Sequence, residues 1–149
     1  MQLIIGNQNY SSWSMRPWVA MTHFGLDFET VKLWLFTPEF TQQISAYTSA
    51  HTVPVLVDDK LGSVTDSLAI METLAEQYPH MWPQEPRLRA KARSVCARMH
   101  SSFFAMRNEM PMNCRAQQRQ LNITEACARD ITAVQALWQE CIDLTVGLG

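Results

Sequence analysis

The sequence predicts an α/β domain on a small mixed sheet, followed by an all-helical region. Up to about residue 80, short apolar runs alternate with segments of helical period. Beyond that point the period is helical throughout. Between the two, Tyr78–Pro86 holds three prolines in nine residues, which fix φ, remove donors and mark a linker. With 149 residues, 47% hydrophobic and 17% charged, the chain has length and apolar content for one ordinary domain or two small ones.

The elements follow in order. Leu3 to Gly6 does not alternate and reads as a strand buried on both faces. A helix is expected from about Ser14 to Phe24, with Pro17 in its first turn and Gly25 as its stop. Phe28 to Leu35 reads as a second strand. A weaker helix from Pro38 to about Tyr47 would take Thr37 as N-cap. Val53 to Val57 is a third strand, and the 58–62 turn leads antiparallel into a short fourth around Ser63 and Val64. Ser67 to Gln77 is a third helix with Leu68, Met71, Leu74 and Tyr78 on one stripe. The order β-α-β-α-β-β-α, with a right-handed first crossover, gives a mixed four-stranded sheet with helices on its faces. In the second region, Leu88 to Met110 forms one long helix ended by Pro111. Thr124 caps a second, whose stripe is Cys127, Ile131, Val134, Trp138 and Cys141. An antiparallel pair is the simplest arrangement.

Composition excludes several classes of function. A net charge of -2 does not suit a polyanion binder, and Arg87, Arg89, Lys91 and Arg93 read as a solvated helix face. No run approaches the ~20 apolar residues of a membrane span, and no secretory signal is visible. The four cysteines, Cys96, Cys114, Cys127 and Cys141, form no CxxC pair and show no metal-ligand spacing with the histidines. A cytoplasmic chain with reduced thiols is expected, without metal or nucleic acid.

Three pieces could carry chemistry. The first is NYSSWSMRPW, residues 9–18. It puts Ser11 and Ser12 before the first helix and Ser14 near its cap, where the helix end favours an anion. The serines either cap the helix or stabilise a bound thiolate. The second is Val53-Pro54: a proline opening a strand needs an edge or an unusual bond. A cis bond there would turn the Val53 backbone towards an extended ligand. The third is TDSLAI, residues 65–70. Asp66 or Ser67 would cap the third helix; alternatively, Asp66 could meet an ammonium and Ser67 a carboxylate.

These pieces, in this order, resemble the glutathione S-transferase superfamily. VPVL followed about a dozen residues later by DSLAI carries most of the likeness, and SSWSMR resembles the SSC-x-x-R loop of zeta-like bacterial members. Trp13 stands where that loop has cysteine, which sets the chain apart from members with a cysteine nucleophile. The resemblance implies a thioredoxin-like glutathione-binding domain over 1–79, a linker over 80–86 and a partial all-α domain over 87–149. Ser11, or alternatively Ser12, would hydrogen-bond the glutathione sulfur. Val53 would pair by main chain with the cysteinyl part ahead of cis Pro54, and Asp66 and Ser67 would hold the γ-glutamyl end. Trp13 and Thr52 complete the implied glutathione contacts. Glutathione would be co-substrate, with no separate cofactor, and a hydrophobic electrophile the second substrate. Family members usually continue past the second long helix, whereas TVGLG ends this sequence, so a shortened chain paired as a homodimer is expected. Besides a transferase, a non-catalytic glutathione-binding or dimerisation module and a zeta-type cis–trans isomerase stay open. Phe103 and Met106, with Arg98, His100 and Arg107, could line the electrophile side or belong to core and surface.

Overall fold

The computed structural model describes residues 1–146. The expected early end at Gly149 lies outside the described residues. Two compact units divide the chain, Met1–Met81 and Trp82–Gly149.

In the first unit, the strands β1 (Gln2–Ile5), β2 (Glu29–Lys32), β3 (Val55–Asp58) and β4 (Gly62–Thr65) form one sheet in the order β2-β1-β3-β4. β1 runs parallel to β2 and antiparallel to β3, and β4 closes an antiparallel hairpin on β3. This is the mixed, thioredoxin-like sheet that the sequence predicts. Three helices accompany it: α1 (Ser12–His23), α2 (Phe40–Ser45) and α3 (Ser67–Gln77). The apolar run of β1 explains the layers, because successive side chains of a strand face opposite ways. Leu3 and Ile5 join Met21 of α1 and Ile70 and Leu74 of α3 on one face. Ile4 joins Ile44 of α2 and Val55 on the other.

Several elements differ from the sequence reading. α1 begins at Ser12, so Pro17 is its sixth residue rather than part of its first turn. The side chain of Ser14 accounts for the earlier start: its Oγ accepts the Gly6 N–H at 3.0 Å, drawing that turn onto the end of β1. β2 is shorter than expected, although Leu33 N–H still donates to the Ile5 carbonyl at 2.9 Å. Glu39, not Thr37, stands at the N-cap of α2, because the Thr37 hydroxyl donates to the Trp34 carbonyl at 3.0 Å. On α3 the buried residues are Ser67, Ile70, Leu74 and Ala75, and Leu68 and Met71 lie at the margin.

In the second unit the expected first long helix is two helices, α4 (Pro86–Ser101) and α5 (Phe104–Glu109). Between them Ser102 is extended and Phe103 left-handed at φ 67. Left-handed backbone is costly for a bulky residue. Here it turns the Phe103 ring into a core with Val134 and Leu137. The third helix, α6 (Glu125–Val146), takes the Thr124 hydroxyl as its cap: Cys127 N–H donates to Thr124 Oγ1 at 3.2 Å. Its buried residues are Cys127, Val134 and Leu137; Trp138 is 58% exposed.

Candidate functional site

The register gathers the three sequence pieces at one end of the sheet. Ile4 of β1 pairs with Val55 at the start of β3, and Val55 pairs with Thr65 at the end of β4. Hence the loop after β1, the Val53-Pro54 pair before β3 and the start of α3 after β4 all lie at the same edge. β1, β3 and β4 are successive neighbours in the sheet. Two strand spacings of about 4.8 Å put roughly 10 Å between the first and third piece.

At the first piece, Ser11 is the N-cap residue of α1 but makes no side-chain cap bond. Its hydroxyl is buried and donates to Ser14 Oγ at 2.8 Å. Ser14 is 2% exposed and also takes the Gly6 N–H. The loop is tied down by Asn7, whose carbonyl accepts the N–H groups of Tyr10 and Ser11 at 3.2 and 2.9 Å. The Asn7 side chain holds Leu35 N–H at 2.9 Å, fastening this loop to the one after β2. Ser12 is half-buried and opens the helix. Trp13 faces outward, with the Arg16 guanidinium 4.1 Å from its ring centre. Ser11 and Ser14 border a cleft of ≈ 240 Å³ whose other walls are Ile5, Gln8, Met15, Trp18 and Val19.

The second piece has the expected cis bond between Val53 and Pro54. Val53 stands two residues before the first paired position of β3. Thr52 is exposed, and His51 beside it adopts φ 52, its Nδ1 3.5 Å from Ser45 Oγ.

The third piece settles the cap of α3 on Asp66. Its Oδ1 accepts the N–H groups of Leu68 and Ala69 at 2.9 and 3.2 Å, and its backbone is left-handed at φ 74. Short polar residues bear that conformation better than bulky ones. Ser67, by contrast, is 1% exposed, and its Oγ has no hydrogen-bond partner among the described residues. Such a buried hydroxyl costs about 1–3 kcal/mol, a cost that an incoming acceptor would relieve.

Sequence reasoning placed Ser14 near the cap but missed its bonds to Ser11 and Gly6, and it missed Asn7. The Ser11–Ser14 contact was legible in principle, since positions three apart share a helix face; placing Pro17 in the first turn hid it. Two of the residues named for the electrophile side are engaged within the second unit. Phe103 is core, and Arg107 donates to the carbonyls of Ser102 and Met99. Among the described residues no cluster of His, Cys, Asp and Glu could hold a metal ion, and no helix is long and apolar enough to cross a membrane.

The family model for the glutathione S-transferase N-terminal domain matches residues 10–77, a span that holds Ser11, Val53-Pro54 and Asp66-Ser67. No curated protein matches the chain. Among solved structures, a glutathione transferase homolog from Burkholderia gl BGR1 with bound glutathione superposes with a TM-score of 0.67 at 24% identity. The superposition covers 91% of this chain and 64% of that one. A sphingomonad glutathione S-transferase complexed with glutathione gives 0.63 at 22% identity, over 94% and 69%. The tau class enzyme MiGSTU from mango, Mangifera indica, gives 0.64 at 20% identity, over 99% and 63%. This chain thus spans about two thirds of the length of these structures, which share its fold. Residues 10–77 thus match the family model for the glutathione S-transferase N-terminal domain, and the mixed sheet with its helices is the fold of these structures.

Proposed function

We propose that the chain binds glutathione across this end of its sheet and holds the thiol as thiolate for attack on an apolar electrophile. The observation that carries the reading is the alignment of the three pieces at the ends of adjacent strands. Roughly 10 Å separates the α3 cap from the α1 cap, and an extended tripeptide spans about 10 Å. The γ-glutamyl ammonium would meet Asp66, and its carboxylate the unpartnered Ser67 hydroxyl beside the α3 N–H groups. The cysteinyl backbone would pair with Val53, with Thr52 and Trp13 flanking the peptide. The sulfur would then reach the amino end of α1 beside Ser11. There a hydroxyl and the positive helix end favour thiolate over thiol. The thiolate attacks the electrophilic carbon, a carbon–sulfur bond forms, and the leaving group departs with its electron pair.

Calorimetric titration with reduced glutathione tests the site: saturable binding is expected, weakened about tenfold in Ser67→Ala. Absence of heat, together with an unchanged thermal midpoint at millimolar ligand, would overturn the assignment. A conjugation assay on a panel of aryl halides and unsaturated acids then separates turnover from binding alone.

A further inference from the structure

We infer that Ser14 is a positioning residue that turns the Ser11 hydrogen towards the glutathione sulfur, using the Gly6 N–H as the fixed end of a hydrogen-bond run. The inference rests on the glutathione reading above and adds a residue to it.

A backbone N–H can only donate, so the 3.0 Å contact fixes Ser14 Oγ as the acceptor of the Gly6 hydrogen. Between Ser14 Oγ and Ser11 Oγ, 2.8 Å apart, there is room for one hydrogen, and either hydroxyl can supply it. When Ser11 supplies it, Ser11 has no hydrogen left for a ligand. When Ser14 supplies it, every donor points the same way: Gly6 N–H to Ser14, Ser14 O–H to Ser11, and Ser11 O–H into the cleft that both serines border. A thiolate there accepts the last hydrogen and so selects the second arrangement. Each donor is polarised by the one behind it, which strengthens the terminal bond. Burial of Ser14 at 2% exposure keeps water from competing for its lone pairs. Ser12 lies outside the run, so in this arrangement Ser11 is the sulfur donor.

The readout is the pH at which bound glutathione ionises, followed by thiolate ultraviolet absorbance. Ser11→Ala should raise it by about one pH unit, the worth of one hydrogen bond to a charged group. Ser14→Ala should raise it by about half a unit to one unit, although Ser14 does not touch the sulfur. The double variant should be no worse than Ser11→Ala alone, because Ser14 acts only through Ser11. Ser14→Cys keeps the side-chain shape with a weaker donor; it should shift the profile by less, and it carries the test if Ser14→Ala does not fold. An unchanged profile in a folded Ser14 variant, beside a shifted Ser11→Ala, overturns the relay and leaves the glutathione site standing. Additive shifts in the double variant also overturn it. A wild-type chain that takes up no glutathione removes the site itself.

Discussion

Asp66 caps α3 and is proposed to meet the ligand's ammonium, and substitution can separate the two roles. As a cap it satisfies two N–H groups of α3, worth about 1 kcal/mol; as an anion it would meet the ligand's ammonium. Asn keeps an acceptor and tolerates the left-handed backbone, but carries no charge. Asp66→Asn should therefore unfold within about 0.5 kcal/mol of wild type while binding glutathione roughly tenfold more weakly. Asp66→Ala should lose both. Urea melts beside calorimetry check this; equal affinity in Asp66→Asn would show that the carboxylate only caps. Gly6 is constrained by space rather than by charge. A Cβ there would lie 2.6 Å from Leu35 Cδ1 and 3.0 Å from Ser11 Oγ. The Leu35 tip can move aside, but Ser11 is held by Ser14. Gly6→Ala should cost about 1–3 kcal/mol through overpacking and displace Ser11, the proposed sulfur donor. A melt identical to wild type would show that the loop yields freely.

At the scale of elements, the three site pieces were legible because each lies where a strand meets a helix. Turn and cap residues leave a local signature at such junctions, and the sheet order then fixes which junctions share an edge. The break between α4 and α5 was not legible. Leu88 to Met110 keeps a helical period straight through Phe103, and only tertiary contacts interrupt it. Phe103 turns into the core, Arg107 takes the carbonyls left at the end of α4, and Asp130 of α6 accepts Met106 N–H at 3.1 Å. Position 138 failed for a related reason. An apolar period does not say which of two neighbouring residues meets the core, and Leu137 takes the place expected of Trp138. The basic run was read as a solvated face, yet Arg89 holds the carbonyls of Pro83 and Gln84, and Lys91 pairs with Glu140. The start of α6 carries a pH prediction. Thr124 donates to Glu109 from both its hydroxyl and its N–H, first of all the hydroxyl, and holds that carboxyl below its ordinary value. A lowered folded value means stability complete above the ordinary glutamate range of about 4.3 and lost as pH falls through the folded value. Thermal midpoints from about pH 7 to pH 3 should show Glu109→Gln less stable at neutral pH, with the gap to wild type closing in acid. A constant gap would refute the linkage.

Across the whole molecule, thiols are segregated from the proposed site. The first unit contains no cysteine, and all four lie at or beyond Cys96. The thiol that would react at the sheet edge is therefore the ligand's own, and the protein's thiols report on the second unit. Their settings differ: Cys114 is exposed, Cys96 and Cys141 are half-buried, and Cys127 is fully buried at the start of α6. Burial, and after it the carboxylates of Glu109 and Asp130, push the Cys127 thiol up. A thiol reacts as its thiolate and only where reagent can reach it, so both factors protect Cys127. In the native chain at about pH 8, a soluble alkylating reagent should modify Cys114 first and Cys127 last, at least about a hundredfold more slowly, through openings of the second unit. The raised value adds a sign of its own. Stability is complete below the ordinary thiol value of about 8.5 and declines as pH rises towards the folded value, because the unfolded thiol ionises first. Cys127→Ala should flatten that alkaline decline while paying for the lost packing at neutral pH. Mass spectrometry of the labelled chain decides the order, and labelling of Cys127 at the rate of Cys114 would mean that the start of α6 does not shield it.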